Sequence, residues 1–159
     1  MEQKTKAKPI KAAPATAPGN LAAIRIRGRT MVRTTIVDAM NMLRLYKNNF
    51  CVVLPNTPTY VGMLKQAKDY ITWGEIDDET FKLLVEKRGE EFYGRETDSK
   101  KLIKYNDYIV INNRKLKRYF RLNSPRKGFG RIGIKQSFQR GGALGYRGSK
   151  INDLIKRML

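Results

Sequence analysis

From Leu21 apolar and polar positions alternate. Ala22, Ile24 and Ile26 fall on one face and Arg25, Arg27 and Arg29 on the other. A period of two predicts a half-buried strand with an arginine face. The period then lengthens: Ile36, Met40 and Leu43 recur at i, i+4 and i+7, with Thr34 or Thr35 as N-cap and Asp38 in the first turn. That is an amphipathic helix ending near Asn48 and Asn49. FCVVL at 50–54 reads as a buried strand stopped by Pro55. Thr57 before Pro58 then offers an N-cap and a first helical proline. Tyr60, Leu64, Ala67 and Ile71 continue at helical spacing, and YITWGEI reads as a third strand. A short third helix follows, with Asp77 or Asp78 as cap, Phe81, Leu84 and Val85 as its apolar stripe and Gly89 as its stop. The predicted order is β-α-β-α-β with a helix appended.

Beyond residue 90 the periods weaken. LIKYNDYIVI at 102–111 fits either helix or strand, and RKLKRYFRL at 114–122 suggests a basic strand. The last stretch, SKINDLIKRML, puts Ile151, Leu154, Ile155 and Met158 on one helical face behind Ser149 as N-cap. Such a face needs a surface to dock on. The expected organisation is a disordered basic arm over 1–19, the β-α-β-α-β core with its short third helix over 20–90, and a C-terminal extension over 91–159.

Length bounds the core and charge bounds the partners. A chain of 159 residues with 41% hydrophobic residues buries one modest core. Its 33 Lys and Arg against 14 Asp and Glu give +19, so the compact state repels itself and a polyanion would relieve it. The charge is uneven. Residues 69–98 carry ten acids against four bases, whereas residues 114–159 carry fourteen bases and only Asp153, a local +13. No apolar run approaches the roughly 20 residues of a membrane span. The Lys-, Ala- and Pro-rich N-terminus has no apolar segment of the kind secretory signals carry. A single cysteine and no histidine leave no disulfide framework, no His metal ligand and no His base, which fits a reducing cytoplasmic setting.

Residues 124–148, SPRKGFGRIGIKQSFQRGGALGYRG, combine seven glycines with Arg126, Lys127, Arg131, Lys135, Arg140 and Arg147, and contain no carboxylate. Gly128, Gly130 and Gly133 spell a dinucleotide fingerprint, and Asp153 stands twenty residues further on. That site requires a strand before the glycines and a helix opening among them; Pro125 precedes this run and no helix starts within it. A phosphate-binding P-loop requires Gly-Lys-Ser/Thr, and here the order is Gly148-Ser149-Lys150. A flexible linker is opposed by the interleaved Phe129, Ile132, Ile134, Phe138, Leu144 and Tyr146. Glycines for close approach, cations for phosphates and aromatic rings for unpaired bases together describe an RNA-fitting arm, ordered on contact. Arg25, Arg27 and Arg29 offer a second patch, weighed against a solvated strand edge.

The remaining candidates have plainer readings. Cys51 is a buried thiol without a partner motif. Asp77, Asp78 and Glu79 serve a helix start. Trp73 belongs to the core or a lid. No catalytic or metal site emerges, and no cofactor is expected. The alternatives to RNA binding are a DNA-coating protein, which the same charge would serve, and a nucleotide-dependent enzyme, which lacks its cluster of acids.

The runs IRIRGR (24–29), LPNTPTYVGMLKQAKDYITWGEI (54–76), FRLNSPRKGFG (120–130) and GGALGYRGSKINDLIKRML (141–159) resemble the universal large-subunit ribosomal protein thirty family, called protein seven in eukaryotes. The extension motifs resemble the archaeal long form. The resemblance implies an α+β fold with a three-stranded antiparallel sheet of ferredoxin-like arrangement and a basic extension packed on it. It also implies a non-enzymatic role on the large-subunit rRNA, near the 5S rRNA, beside neighbouring large-subunit proteins, with no membrane and no small-molecule substrate. Its RNA-facing residues carry over to Arg25, Arg27, Gly28, Arg29 and Arg33, and in the extension to Arg126, Lys127, Gly128, Gly142, Tyr146 and Arg147. The cations Arg121, Arg131, Lys135, Arg140 and Lys150 complete the expected rRNA-binding set.

Overall fold

The computed structural model describes residues 19–105 and 107–159, so the expected N-terminal arm lies outside the described residues except for Gly19. Three antiparallel strands form the middle of the main sheet. β1 (Asn20–Arg25) lies between β2 (Phe50–Pro55) and β3 (Ile71–Glu75), with Ala22 opposite both Val53 and Gly74. The helices of the repeating core are α1 (Thr34–Met42), α2 (Pro58–Gln66) and α3 (Asp78–Arg88). The extension adds β4 (Tyr108–Ile111), β5 (Arg114–Lys117), β6 (Phe120–Arg121), β7 (Gly145–Tyr146) and α4 (Ile151–Met158).

The sheet is larger than the three strands expected. β6 pairs antiparallel with β2 and β7 pairs parallel with β3, giving the order β6-β2-β1-β3-β7. Each added strand is two residues long and carries no alternation that a sequence reading could detect. They satisfy backbone groups that the edges of β2 and β3 would otherwise leave open.

β1 is buried on both faces rather than one. Leu21 and Ala23 pack with Met40, Leu43, Leu45, Leu64 and Ala67 from the α1 and α2 side. Ala22 and Ile24 pack with Leu84 of α3 and with Ile151, Leu154, Ile155 and Met158 of α4. The terminal helix therefore finds its dock on the face that α1 and α2 leave uncovered. Because the strand ends at Arg25, Arg27 and Arg29 belong to the loop beyond it, and Arg25 faces the interior.

Local signals held at several ends and failed at others. Thr57 caps α2, its Oγ1 accepting from the Tyr60 N–H at 3.5 Å, with Pro58 first in the helix. Asp77 precedes α3 and Gly89 follows it, but the Asp77 side chain makes no cap hydrogen bond and Gly89 is extended at φ −67°; the acidic first turn and basic last turn suit the helix dipole. α1 is preceded by Arg33 rather than capped by a threonine side chain, and it stops at Met42 because Arg44 turns left-handed at φ 61°. Ile71 enters β3 instead of extending the α2 stripe. The segment left open at 102–111 supplies β4, which forms a hairpin with β5 through Asn112 and Asn113 at φ 50° and 60°. The basic run after it breaks into β5 and β6. Ser149 sits in a 3-10 turn and gives α4 no side-chain cap. Asn152 anchors the helix instead: its Nδ2 donates to the Glu75 and Ser149 carbonyls, and its Oδ1 accepts from the Asp77 N–H at 3.1 Å.

Candidate nucleic-acid interface

Register decides where the basic segments meet. Arg25 pairs with Ile71, Phe50 with Arg121 and Thr72 with Gly145, so one end of the sheet holds the exit of β1, the exit of β6 and the entry to β7. The arginine loop after β1 and the glycine-rich arm between β6 and β7 therefore leave from the same end. A small apolar cluster fastens them together: Ile26 packs with Ala143 and Leu144, and Phe129 closes over it. Two stretches a hundred residues apart in sequence become one surface.

Not every predicted residue reaches that surface. Arg25 is 1% exposed; its Nη1 donates to the Leu45 and Tyr46 carbonyls at 2.8 and 2.9 Å, and its Nε donates to the Arg27 carbonyl at 2.9 Å. Burial, with the neighbouring Arg29 charge, lowers its pKa. Arg147 is also inside. Its Nη2 donates to the carbonyls of Ala143 and Phe129 at 3.0 and 3.2 Å, its Nε donates to Thr72 Oγ1, and its guanidinium lies 4.4 Å from the centre of the Phe138 ring. Burial first, then the Arg157 charge, pushes its pKa down to about 10, so it stays protonated at neutral pH. Gly142 is buried as well, and a Cβ there would overlap the Gln136 backbone. These three hold the chain's own segments together rather than facing a partner.

Four others are exposed in part but engaged. Arg27 Nη1 donates to the Asp69 carbonyl at 3.0 Å and its guanidinium lies over the Tyr70 ring. Arg121 pairs with Glu90 at 3.3 Å, and its contact with Tyr119 and then the Glu90 carboxylate raise its pKa. The half-exposed Tyr146 donates its hydroxyl to Glu75 at 2.7 Å, which raises its pKa. Lys150 lies 5.9 Å from the Phe138 ring centre.

Of the predicted site cations, Arg29, Arg33, Arg126, Lys127, Arg131, Lys135 and Arg140 are free. All seven side chains are exposed, and none donates to a protein acceptor among the described residues. Arg126 and Lys127 stand on a turn that closes when the Gly128 N–H donates to the Pro125 carbonyl, with Lys127 and Gly128 left-handed at φ 64° and 75°. The turn is strapped to α4. Arg157 Nη1 donates to the Arg126 and Gly128 carbonyls, and its own carbonyl accepts from the Arg126 N–H. Sequence reasoning missed this strap and Asn152, although a last-turn arginine beside a glycine-rich turn is the signal that could have found it. By contrast Lys115 and Lys117 are matched by Glu96 and Glu90, so part of the positive charge of the 114–121 run is offset within the chain.

The family model described as Ribosomal protein L30p/L7e matches residues 21–71. Large ribosomal subunit protein uL30 of Methanosphaera stadtmanae is 43% identical over 152 residues, covering 87% of this chain and 99% of the relative. The chain belongs to the ribosomal protein L30p/L7e family. Other members of the family agree. The uL30 protein of Methanopyrus kandleri is 41% identical over 149 residues, with 84% of this chain and 100% of the relative covered. That of Nanoarchaeum equitans is 42% identical over 153 residues, with 87% and 97% covered. The family model accounts for β1 through the start of β3. Coverage of 87% also carries the family likeness through most of the extension, which contains the arm and α4.

Proposed function

We propose that this chain is a structural constituent of the large ribosomal subunit, acting in the cytoplasm without catalysis, and that it binds folded rRNA with the end of its sheet where the arginine loop and the glycine-rich arm converge. The observation that carries this reading is the set of seven exposed cations without protein acceptors at or beside that end. Cations left unmatched by a fold that pairs Lys115, Lys117 and Arg121 internally are suited to phosphates. Arg25 and Arg147 serve the binding indirectly by fixing the loop and the arm in place. Tyr146 and Arg121, engaged at the rim, have aromatic and cationic faces that suit ribose and phosphate. Neighbouring large-subunit proteins and the 5S rRNA are the further partners in this reading.

Crosslinking of the chain within assembled large subunits tests it. Contacts to rRNA should concentrate at 29–33 and 126–140, with few at Lys115 and Lys117. A pattern in which those two segments contact no RNA would contradict the reading.

A further inference from the structure

Beside the arginine loop lies an open depression of about 410 Å³, lined by Arg27, Gly28, Thr30, Met31 and Tyr70. Its floor is fixed. The N–H groups of Ile26 and Arg27 both donate to the Tyr70 carbonyl, at 3.0 and 3.1 Å, and the Arg27 guanidinium is held by the Asp69 carbonyl 4.9 Å from the centre of the Tyr70 ring. Its rim is Met31, which is 100% exposed with a left-handed backbone at φ 56°. An unbranched thioether fully in water on a strained backbone contributes nothing to the core, and non-glycine strain of this kind is kept where the surroundings or a function hold it. Arg29 and Arg33, both free, flank this rim on either side in the chain.

We infer that this depression takes one nucleobase extruded from an RNA helix, an inference that rests on the RNA-binding reading above. A guanidinium plane braced on an aromatic ring is a platform on which a base stacks, and an adaptable apolar side chain covers the opposite face. Arg29 and Arg33 then meet the phosphates on either side of the extruded nucleotide. Phosphate alone would leave the Tyr70 ring and the Met31 side chain in the lining without a role. Loop cations bind any strand, whereas the depression selects RNA that offers an unstacked base.

The full chain is titrated with an RNA hairpin carrying a single bulged 2-aminopurine and with the same hairpin lacking the bulge. Stacking of one base predicts about tenfold tighter binding of the bulged hairpin, with quenching of its fluorescence. Met31→Ala and Gly28→Leu should each remove that preference, read as the ratio of the two hairpin affinities within each variant. Both are tolerated by the fold: Met31 touches solvent, and a Cβ on Gly28 meets no atom within 4 Å. Equal affinity of the unaltered chain for the two hairpins, or a preference that both variants keep, overturns the inference while leaving RNA binding intact. Binding of neither hairpin more tightly than duplex DNA of equal length overturns the reading beneath it.

Discussion

Arg25 and Arg147 show that a cation's neighbours in sequence do not fix its place in space. The period-two pattern correctly set Arg25 opposite Ile24, but the opposite face is covered by the α1 and α2 layer, which only the fold supplies. Arg147 looks like Arg140 in sequence; its partners at 72, 129 and 143 come together only when the arm closes. Truncating Arg147 to Ala should therefore leave buried carbonyls unmatched and cost roughly 2 to 4 kcal/mol, read by urea denaturation. Arg131→Ala, an exposed change, should stay within about 0.5 kcal/mol. Equal effects of the two would contradict the assignment of roles. Cys51 was legible throughout. It is buried in β2, burial pushes its thiol up to about 12, and alkylation at pH 8 should run roughly a hundredfold or more slower than in the unfolded chain. Labelling of the folded chain at the unfolded rate, followed by mass spectrometry, would show the thiol to be accessible.

Elements long enough to complete a period were readable from the chain alone, which covers β1 to β3 and α1 to α4. β6 and β7 were not, since two residues define no alternation and their pairing depends on partners some seventy residues away. The β4–β5 hairpin was hidden for another reason: only Leu116 of its strands is buried, so no apolar face marks it. The docking of the 3-10 turn and α4 on β3 depends on Gly74, where a Cβ would overlap the Gly148 carbonyl. Gly74→Ala is expected to cost about 2 kcal/mol or more and to expose α4, seen as a lower midpoint of thermal unfolding and faster proteolysis near residue 150. An unchanged midpoint would remove that contact from the account. At the same edge, Glu75 holds the Tyr146 proton and raises its pKa above the usual 10. A raised folded pKa stabilises fully below the unfolded pKa and is lost as pH rises through the folded one. The stability difference between the unaltered chain and Tyr146→Phe should thus be constant up to about pH 10 and shrink above it. A difference growing with pH would carry the wrong sign.

For the whole molecule, the informative quantity is how the +19 is distributed and matched. Part of the C-terminal excess is cancelled by Glu90 and Glu96, and part is buried as Arg147. What remains gathers where the arginine loop and the glycine-rich arm leave one end of the sheet. The sequence motifs pointed to the two patches, but only strand register shows that they are contiguous. The salt dependence of binding tests this most directly. The full chain is titrated with a structured large-subunit rRNA fragment from about 0.05 to 0.2 M salt in the presence of duplex DNA of equal length. With about ten phosphates neutralised, log K for the rRNA should fall with log salt at a slope of roughly −7 to −9, and Arg126→Ala, Lys127→Ala and Arg131→Ala together should flatten it by about two to three units without unfolding the core. Duplex DNA competing as well as the rRNA, or a slope untouched by the triple variant, would contradict the claim that this end of the sheet holds folded RNA.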